Sequence, residues 1–220
     1  MYYFLLSISL LIISPCNIAN NQNTSENTTG WEQKAKIDLS KYERAYFASG
    51  CFWCVEAIFE SVKGVTEAIS GYAGGSAESA IYSKVSAGVT NHAEAVAVYY
   101  DPQVIDYSTL LEVFFGSHDP TTLNRQGPDH GRQYRSAIFY QNEEEKKLAQ
   151  AYIEKLTKGN VFKAPITTTL EALDEFFPAE EYHQDFEKNN PNHPYVRSVS
   201  IPRLQQFQLK YPHLLKENMK

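Results

Sequence analysis

The chain is short of the residues that would announce several common functions. Of its 220 residues only three are cysteine, two are methionine and two are tryptophan. Three thiols cannot build a disulfide framework of the kind that staples small secreted domains. Lys and Arg number 20 against 26 acidic residues, a formal charge of -6, and no basic cluster stands out. That balance excludes a phosphate-seeking surface, and with it a nucleic-acid partner. Long apolar runs are also missing. The longest, Tyr2 to Ile13, is broken by Ser14-Pro15 and falls short of the roughly 20 residues a spanning helix needs.

What is present begins with that apolar N-terminus, which reads as an export signal over residues 1–19, with an uncleaved anchor as its rival. No Lys or Arg precedes the run, so the terminal amine alone supplies positive charge. Cys16 follows Ile13-Ser14-Pro15, a faint likeness to a lipoprotein cleavage box that Pro15 spoils. Residues 20–40, rich in Asn, Thr, Ser and Gln, read as a flexible linker with too little apolar mass to offset ordering entropy. Asn23-Thr24-Ser25 and Asn27-Thr28-Thr29 are glycosylation acceptors only in a eukaryotic secretory host. The expected location is outside the cytoplasm, periplasmic or secreted. One main domain is expected over residues 41–197, followed by a loosely patterned tail at 198–220.

Within the domain, Arg44 to Ala48 reads as a strand and Ser49-Gly50 as the turn leaving it. A helix follows, with Val55, Ile58, Phe59 and Val62 at helical spacing and Gly64 closing it. Gly71 to Gly75 reads as a loop, Glu94 to Tyr100 as a strand ended by Asp101-Pro102, and Ser108 as the cap of a helix carrying Leu110, Leu111, Val113, Phe114 and Phe115. Ser117 to Arg132 is a polar loop long enough to be functional. Ser136 to Tyr140 reads as a strand, Glu143 to Lys158 as a helix with Leu148, Ala149, Tyr152, Ile153 and Leu156 on its apolar face, Ala164 to Ala172 as a strand and Ala179 to Lys188 as a helix. No internal repeat is present. Mixed strands and helices in this order fit an α+β fold, a compact two-layer sandwich with a ferredoxin-like β-α-β core.

The run Gly50-Cys51-Phe52-Trp53-Cys54 concentrates chemistry. Cys51 falls at a helix start, where unpaired N–H groups and the macrodipole stabilise a thiolate. Cys54 lies one turn on along the same face, and the two are the only thiols of the domain. Flanking aromatics suit a small, soft, apolar substrate group. On residue type alone other readings stay open: buried cysteines among core aromatics, Glu94 as a solvated strand-end carboxylate, Tyr82 and Tyr134 as packed tyrosines, Asp129 as a turn former. No metal set is evident, because two cysteines three apart lack a second ligand pair, and no cofactor is expected.

The run also resembles the signature of the peptide methionine sulfoxide reductase A family. The likeness continues in order through Gly71-Tyr72-Ala73-Gly74-Gly75, Tyr82, His92-Ala93-Glu94, Tyr100-Asp101-Pro102, His118-Asp119-Pro120-Thr121, Asn124-Arg125-Gln126-Gly127, Asp129, Gly131, Gln133-Tyr134-Arg135-Ser136 and Tyr182-His183-Gln184, spanning about Tyr42 to Pro194. It implies reduction of the S epimer of methionine sulfoxide, free or in proteins, by a monomer without cofactor, as oxidative damage repair. By that resemblance Cys51 attacks the sulfoxide sulfur, Glu94 gives the proton, Tyr82 and Tyr134 bind the oxygen, Phe52 and Trp53 enclose the methyl group, and Asp129 organises the polar side. His92 and His183 are expected in structural hydrogen bonds.

Attack leaves Cys51 as a sulfenic acid, which must be reduced before another turnover. Many members use distant C-terminal cysteines, and here none follows Cys54. Cys54, where some members carry Gly, is therefore expected to resolve the sulfenic acid as a Cys51–Cys54 disulfide that a thioredoxin-like donor reduces. Two readings of other classes compete. A thioredoxin-like disulfide oxidoreductase shares the strand and Cys-x-x-Cys helix start, but its Pro turn has a candidate only at Ala164-Pro165, far down the chain, and it leaves Glu94 unexplained. A binding module for oxidised peptides would keep the aromatics and make the thiols incidental.

Overall fold

The computed structural model describes Met1 and residues 38–219. The expected signal, Cys16, both acceptor triplets and nearly all of the linker lie outside the described residues. Among the described residues no helix is long and apolar enough to cross a membrane.

In chain order the elements are β1 (Glu43–Ser49), α1 (Phe52–Glu60), β2 (Val65–Ala73), α2 (Tyr82–Ser86), β3 (Ala93–Tyr100), α3 (Tyr107–Gly116), β4 (Arg125–Gln126), β5 (Asp129–His130), β6 (Ser136–Tyr140), α4 (Glu143–Lys158), β7 (Thr169–Ala172), β8 (Phe176–Pro178), α5 (Phe186–Asn189) and α6 (Ile201–Lys210). One six-stranded sheet runs β7-β6-β1-β3-β2-β8. Every pairing in it is antiparallel except β6 with β7. Its centre, β6-β1-β3-β2, is threaded by α1 and α3 in the β-α-β-β-α-β order expected of a ferredoxin-like core, with β3 inserted between the parallel β1 and β2.

Alternation along the strands sorts the two faces. On one face Phe47, Val96, Val98 and Ile138 meet Phe52, Ile58, Phe59, Leu110, Leu111 and Phe114 in the main core. Phe47 stacks on Phe59 at 5.1 Å and on Phe114 at 5.2 Å, so a single β1 ring ties α1 to α3. Burying such a ring stabilises the fold by roughly 2–3 kcal/mol. The opposite face is lined by small residues, Ala48, Ala73, Ala93, Ala95, Ala97 and Ala137, filled out by Tyr46 and Phe139.

Several elements depart from the sequence reading. Gly71 to Ala73 are not loop but the end of β2, paired with β3 and β8; a Cβ at Gly71 would lie 2.4 Å from the Phe177 carbonyl, so glycine lets the edge strand approach. Asp106, not Ser108, caps α3, accepting from Thr109 N at 2.7 Å. Leu148 on α4 stays exposed, while Ala149 is buried and Tyr152 stacks on Phe115 at 5.6 Å. The strand expected from Ala164 is ordered as such only over β7. The helix expected at 179–188 is instead a 3-10 turn and the short α5, separated by Asp185 at φ 51. Tertiary contacts override local propensity there: Ala179 N donates to Ser70 O, and the Gln184 amide brackets the backbone of Ser70.

The segment after Arg197, read as a tail, completes the core. A π-helical turn (Val196–Ser200) leads into α6, Phe207 and Leu215 are buried, and Lys63 N donates to Leu214 O at 2.8 Å.

Candidate active site

The site forms where β1 turns into α1. Gly50 takes φ +94, and a Cβ there would come within 2.6 Å of Gln126 Cβ, so the turn accepts only glycine without strain. Cys51 is the N-cap residue: its carbonyl accepts from Cys54 N and Val55 N, while its side chain makes no cap hydrogen bond. The orphan N–H of Phe52 donates to Glu94 Oε2 at 3.1 Å. The start of α1 thereby holds the carboxyl of β3 directly behind the cysteine. Glu94 is 1% exposed. Burial raises its carboxyl to about 8, the Phe52 N–H opposes that rise, and Asp129 adds to it. The expected solvated alternative for Glu94 does not survive this burial.

Cys51 and Cys54 are buried free thiols. The thiolate expected at Cys51 is not favoured there. Burial pushes the Cys51 thiol well up, and no cap bond counters it. Cys54 is drawn below the ordinary thiol value, first by its hydrogen bond with Cys51, against burial, and then by Arg203, Ser200 and Tyr195.

The aromatics pack together around the start of α1, which carries both sulfurs. Phe52 lies parallel to Tyr82 at 6.4 Å and tilted to Trp53 at 6.2 Å. Trp53 stacks on Phe186 of α5 at 3.8 Å. Its Nε1–H donates to His183 Nδ1 at 3.1 Å, and since indole is only a donor, that nitrogen must be the unprotonated one. Burial lowers His183 to about 4, which keeps this tautomer available at neutral pH. His92 likewise sits buried with Nε2 at 3.0 Å from Ser76 O, so both histidines serve the hydrogen-bonded roles expected of them.

Tyr82 opens α2, and its N–H donates to Glu180 Oε1, whose other oxygen accepts from Tyr72 Oη at 2.7 Å. Burial raises the Tyr82 phenol to about 12 and the Tyr134 phenol further, and both feel the charges of Glu94, Cys51 and Asp129. Asp129, on β5, accepts from Tyr195 Oη at 2.6 Å, and that oxygen is 3.9 Å from Cys54 Sγ. The residues expected from sequence are thus brought into one neighbourhood: Phe52 meets Trp53, Tyr82 and Glu94, Tyr195 bridges Cys54 to Asp129, and Tyr134 interacts electrostatically with Glu94, Cys51, Asp129 and Tyr82.

Sequence reasoning missed the supports. Tyr195 and Arg203 come from segments without a motif, Tyr195 being one of 15 tyrosines, and Glu180 and Phe186 flank Tyr182-His183-Gln184 without belonging to it, so nothing in the pattern marks them. Among the described residues one carboxylate triad, Glu56, Glu60 and Asp185, brings ligand oxygens within 4.8 Å. Glu56 is already engaged there by Asp185 N and Ser70 Oγ.

The family described as Peptide methionine sulfoxide reductase matches residues 43–214. A relative from Synechocystis sp., peptide methionine sulfoxide reductase MsrA 2, is 50% identical over 79% of this chain and 82% of its own length. The Chromobacterium violaceum MsrA is 47% identical over 79% of this chain and 98% of its own. Reduced Mxr1 from Saccharomyces cerevisiae superposes with a TM-score of 0.64 at 36% identity, covering 71% of this chain and 90% of that one. Methionine sulfoxide reductase A of Corynebacterium diphtheriae gives 0.61 at 33%, covering 69% and 76%. With a matching family model across most of the domain and relatives near half identity, the chain belongs to the peptide methionine sulfoxide reductase family.

Proposed function

We propose that this chain reduces the S epimer of methionine sulfoxide, in proteins or free, with Cys51 as nucleophile. The observation that carries the reading is Glu94: a buried carboxyl raised to about 8, fixed by the N–H of the residue next to Cys51, is a proton donor at neutral pH. In this reading the sulfoxide oxygen lies between Glu94 and the phenols of Tyr82 and Tyr134, whose raised values keep them protonated as donors. The substrate methyl group lies against the rings of Phe52 and Trp53, and Asp129 orders the polar side through Tyr195. Cys51 gives up its thiol proton as its sulfur attacks the sulfoxide sulfur, and Glu94 protonates the oxygen; the S–O bond of the substrate breaks as that hydroxyl passes to the Cys51 sulfur, methionine leaves, Cys51 remains as sulfenic acid, and the thiol proton replaces the one Glu94 gave.

Cys54 then attacks that sulfenic sulfur, forming the Cys51–Cys54 disulfide, which the dithiol of a thioredoxin-like protein reduces. Support comes from the placement of both buried free thiols within the first turn of α1 and from the Cys54 thiol being drawn below the ordinary thiol value, which makes it the more acidic of the pair. We also propose export from the cytoplasm, on the apolar segment from Tyr2 to Ile13; N-terminal sequencing of the protein recovered from the producing cell tests it.

An assay on separated R and S sulfoxides, with wild type and Cys54→Ser compared under dithiothreitol and thioredoxin, tests the chemistry. Turnover of S alone is expected, with Cys54→Ser active under dithiothreitol and blocked with thioredoxin. Equal rates on both epimers sink the stereochemical assignment, and unimpaired thioredoxin turnover in Cys54→Ser sinks the resolving role.

A further inference from the structure

Two carboxyls border the cysteine pair. Glu94 is bonded to the N–H of the residue after Cys51, and Asp129 is joined to Cys54 by one side chain, Tyr195. Tyr195 Oη donates to Asp129 Oδ2 at 2.6 Å and lies 3.9 Å from Cys54 Sγ, within hydrogen-bond reach for sulfur. A phenol has a single proton. With that proton on the Asp129 carboxylate, the Tyr195 oxygen can only accept from Cys54, so the thiol is the donor at the sulfur end. The chain from Cys54 S–H through Tyr195 O–H to the Asp129 carboxylate therefore runs in one direction. Among the described residues Tyr195 is the only hydrogen-bond donor to that carboxylate. The Tyr195 ring stands edge to face with Trp53 at 5.8 Å, and the next residue, Val196, is buried at the start of the π-helical turn.

We propose that Tyr195 is a catalytic residue of the second half of the reaction, relaying the proton of the Cys54 thiol to Asp129 as Cys54 attacks the sulfenic acid of Cys51. The inference rests on the resolving role of Cys54. Tyr195 touches a reacting atom, the Cys54 sulfur, whereas Asp129 acts through Tyr195. The step balances atom by atom. The Cys54 sulfur forms the S–S bond and is oxidised, its proton moves to Tyr195 Oη, and the phenolic proton moves to Asp129. The S–O bond of Cys51 breaks, that sulfur is reduced, and hydroxide leaves as water with the proton of Glu94. Exchange with solvent then returns Asp129 to carboxylate and Glu94 to carboxyl. Burial raises the Asp129 carboxyl while the Cys54 thiol is drawn down, so their proton affinities approach each other, as efficient transfer requires. The other titratable or charged groups facing the relay are Cys51 on α1, Glu94 on β3, His130 on β5, Tyr82 on α2, Tyr134 and Arg203 on α6. Each cysteine thus has its own carboxyl, a proton donor for Cys51 and a proton acceptor for Cys54.

Rapid mixing of reduced enzyme with one equivalent of methionine-S-sulfoxide, without reductant, tests the relay. Acid quench and mass spectrometry follow the conversion of sulfenic acid to disulfide, timed from the methionine burst that precedes it, at pH 7, 8 and 9. In Tyr195→Phe the thiol must give its proton to solvent. The conversion is then expected to run about thirtyfold below wild type at pH 7, the ionised fraction of an ordinary thiol of pKa about 8.5, and to come within about twofold at pH 9. Asp129→Asn can still accept from Tyr195 but takes no proton, and is expected to show the same deficit with the same pH course. The double variant is expected to lose nothing further. A Tyr195 that only holds Asp129 in place would give a deficit independent of pH and leave the conversion in Asp129→Asn near wild type; either result overturns the proposal. Disulfide formation at the wild-type rate in Cys54→Ser, through some other thiol, defeats the resolving role instead, so the two failures are distinct. If Tyr195→Phe does not fold, the pH course of Asp129→Asn alone decides.

Discussion

Replacing Glu94 by Gln should damage catalysis and stabilise the fold, and the second effect has a calculable pH signature. Glu94 is 1% exposed and its carboxyl is raised from an ordinary 4.5 to about 8 by burial. The folded protein therefore keeps a proton that the unfolded chain gives up above pH 4.5. Below that pH the proton is bound in both states and folding gains or loses nothing. Between 4.5 and about 8 the wild type loses stability with rising pH, at about 1.4 kcal/mol per pH unit, and above 8 the loss levels off. At pH 7 it amounts to at most about 3 kcal/mol. Gln has no proton to hold, and its amide oxygen still accepts from Phe52 N, so the variant escapes the loss. Urea unfolding followed by circular dichroism at pH 4.5 and pH 7 measures the difference. Near equality at pH 4.5 and a gap of roughly 2–3 kcal/mol at pH 7 is expected, equivalent to about 4–12 °C in midpoint for a domain of this size. Activity should fall about 10²- to 10⁴-fold with the donor gone. A gap independent of pH would refute the claim that Glu94 is held neutral.

Wild-type kcat should decline as pH rises through about 8, because Glu94 then ionises and loses the proton it donates; a steady-state pH profile checks this. Tyr82→Phe and Tyr134→Phe should each lower kcat/KM by roughly tenfold, as expected for loss of one hydrogen bond of about 1–2 kcal/mol to the sulfoxide oxygen, while leaving the unfolding midpoint near wild type. Gly50→Ala should destabilise by about 1–3 kcal/mol, through a left-handed φ of +94 and collision with Gln126, and should displace Cys51; thermal unfolding and single-turnover methionine release report the two effects. Phe207→Ala should lose roughly 3–5 kcal/mol, since the ring is 2% exposed, and urea melts would show it.

Local signals carried some of the architecture and failed where tertiary contact decided. Helix α4 and strand β6 have the limits read from sequence, residue for residue. Asn142 caps that helix by accepting from Glu144 N and Glu145 N, three glutamates fill its first turn, and Lys155 and Lys158 its last. Such information lies within a few residues. The stretch at 179–188 carried helical residues yet gave way to hydrogen bonds with Ser70, more than 100 positions away. The weak pattern after Arg197 concealed Phe207, whose burial depends on α1 lying opposite. The residues proposed to react were legible because they fall in, or in order between, the motifs of the family likeness. Tyr195 and Arg203 were not, because their contacts with Asp129, Cys54, Ser49 and Ser117 exist only once α6 and its preceding turn close over α1.

That closure has a consequence for biosynthesis. A chain emerging N-terminus first presents Cys51 and Cys54 before Tyr195, Arg203 and Phe207 have been added. During that interval the thiols lack the residues that later border and shield them, and oxidants can reach them without the Glu94 pocket to direct the chemistry. Burial of the two thiols is thus completed late, when the final helix docks. The nascent enzyme is vulnerable to the oxidants whose damage the finished one reverses.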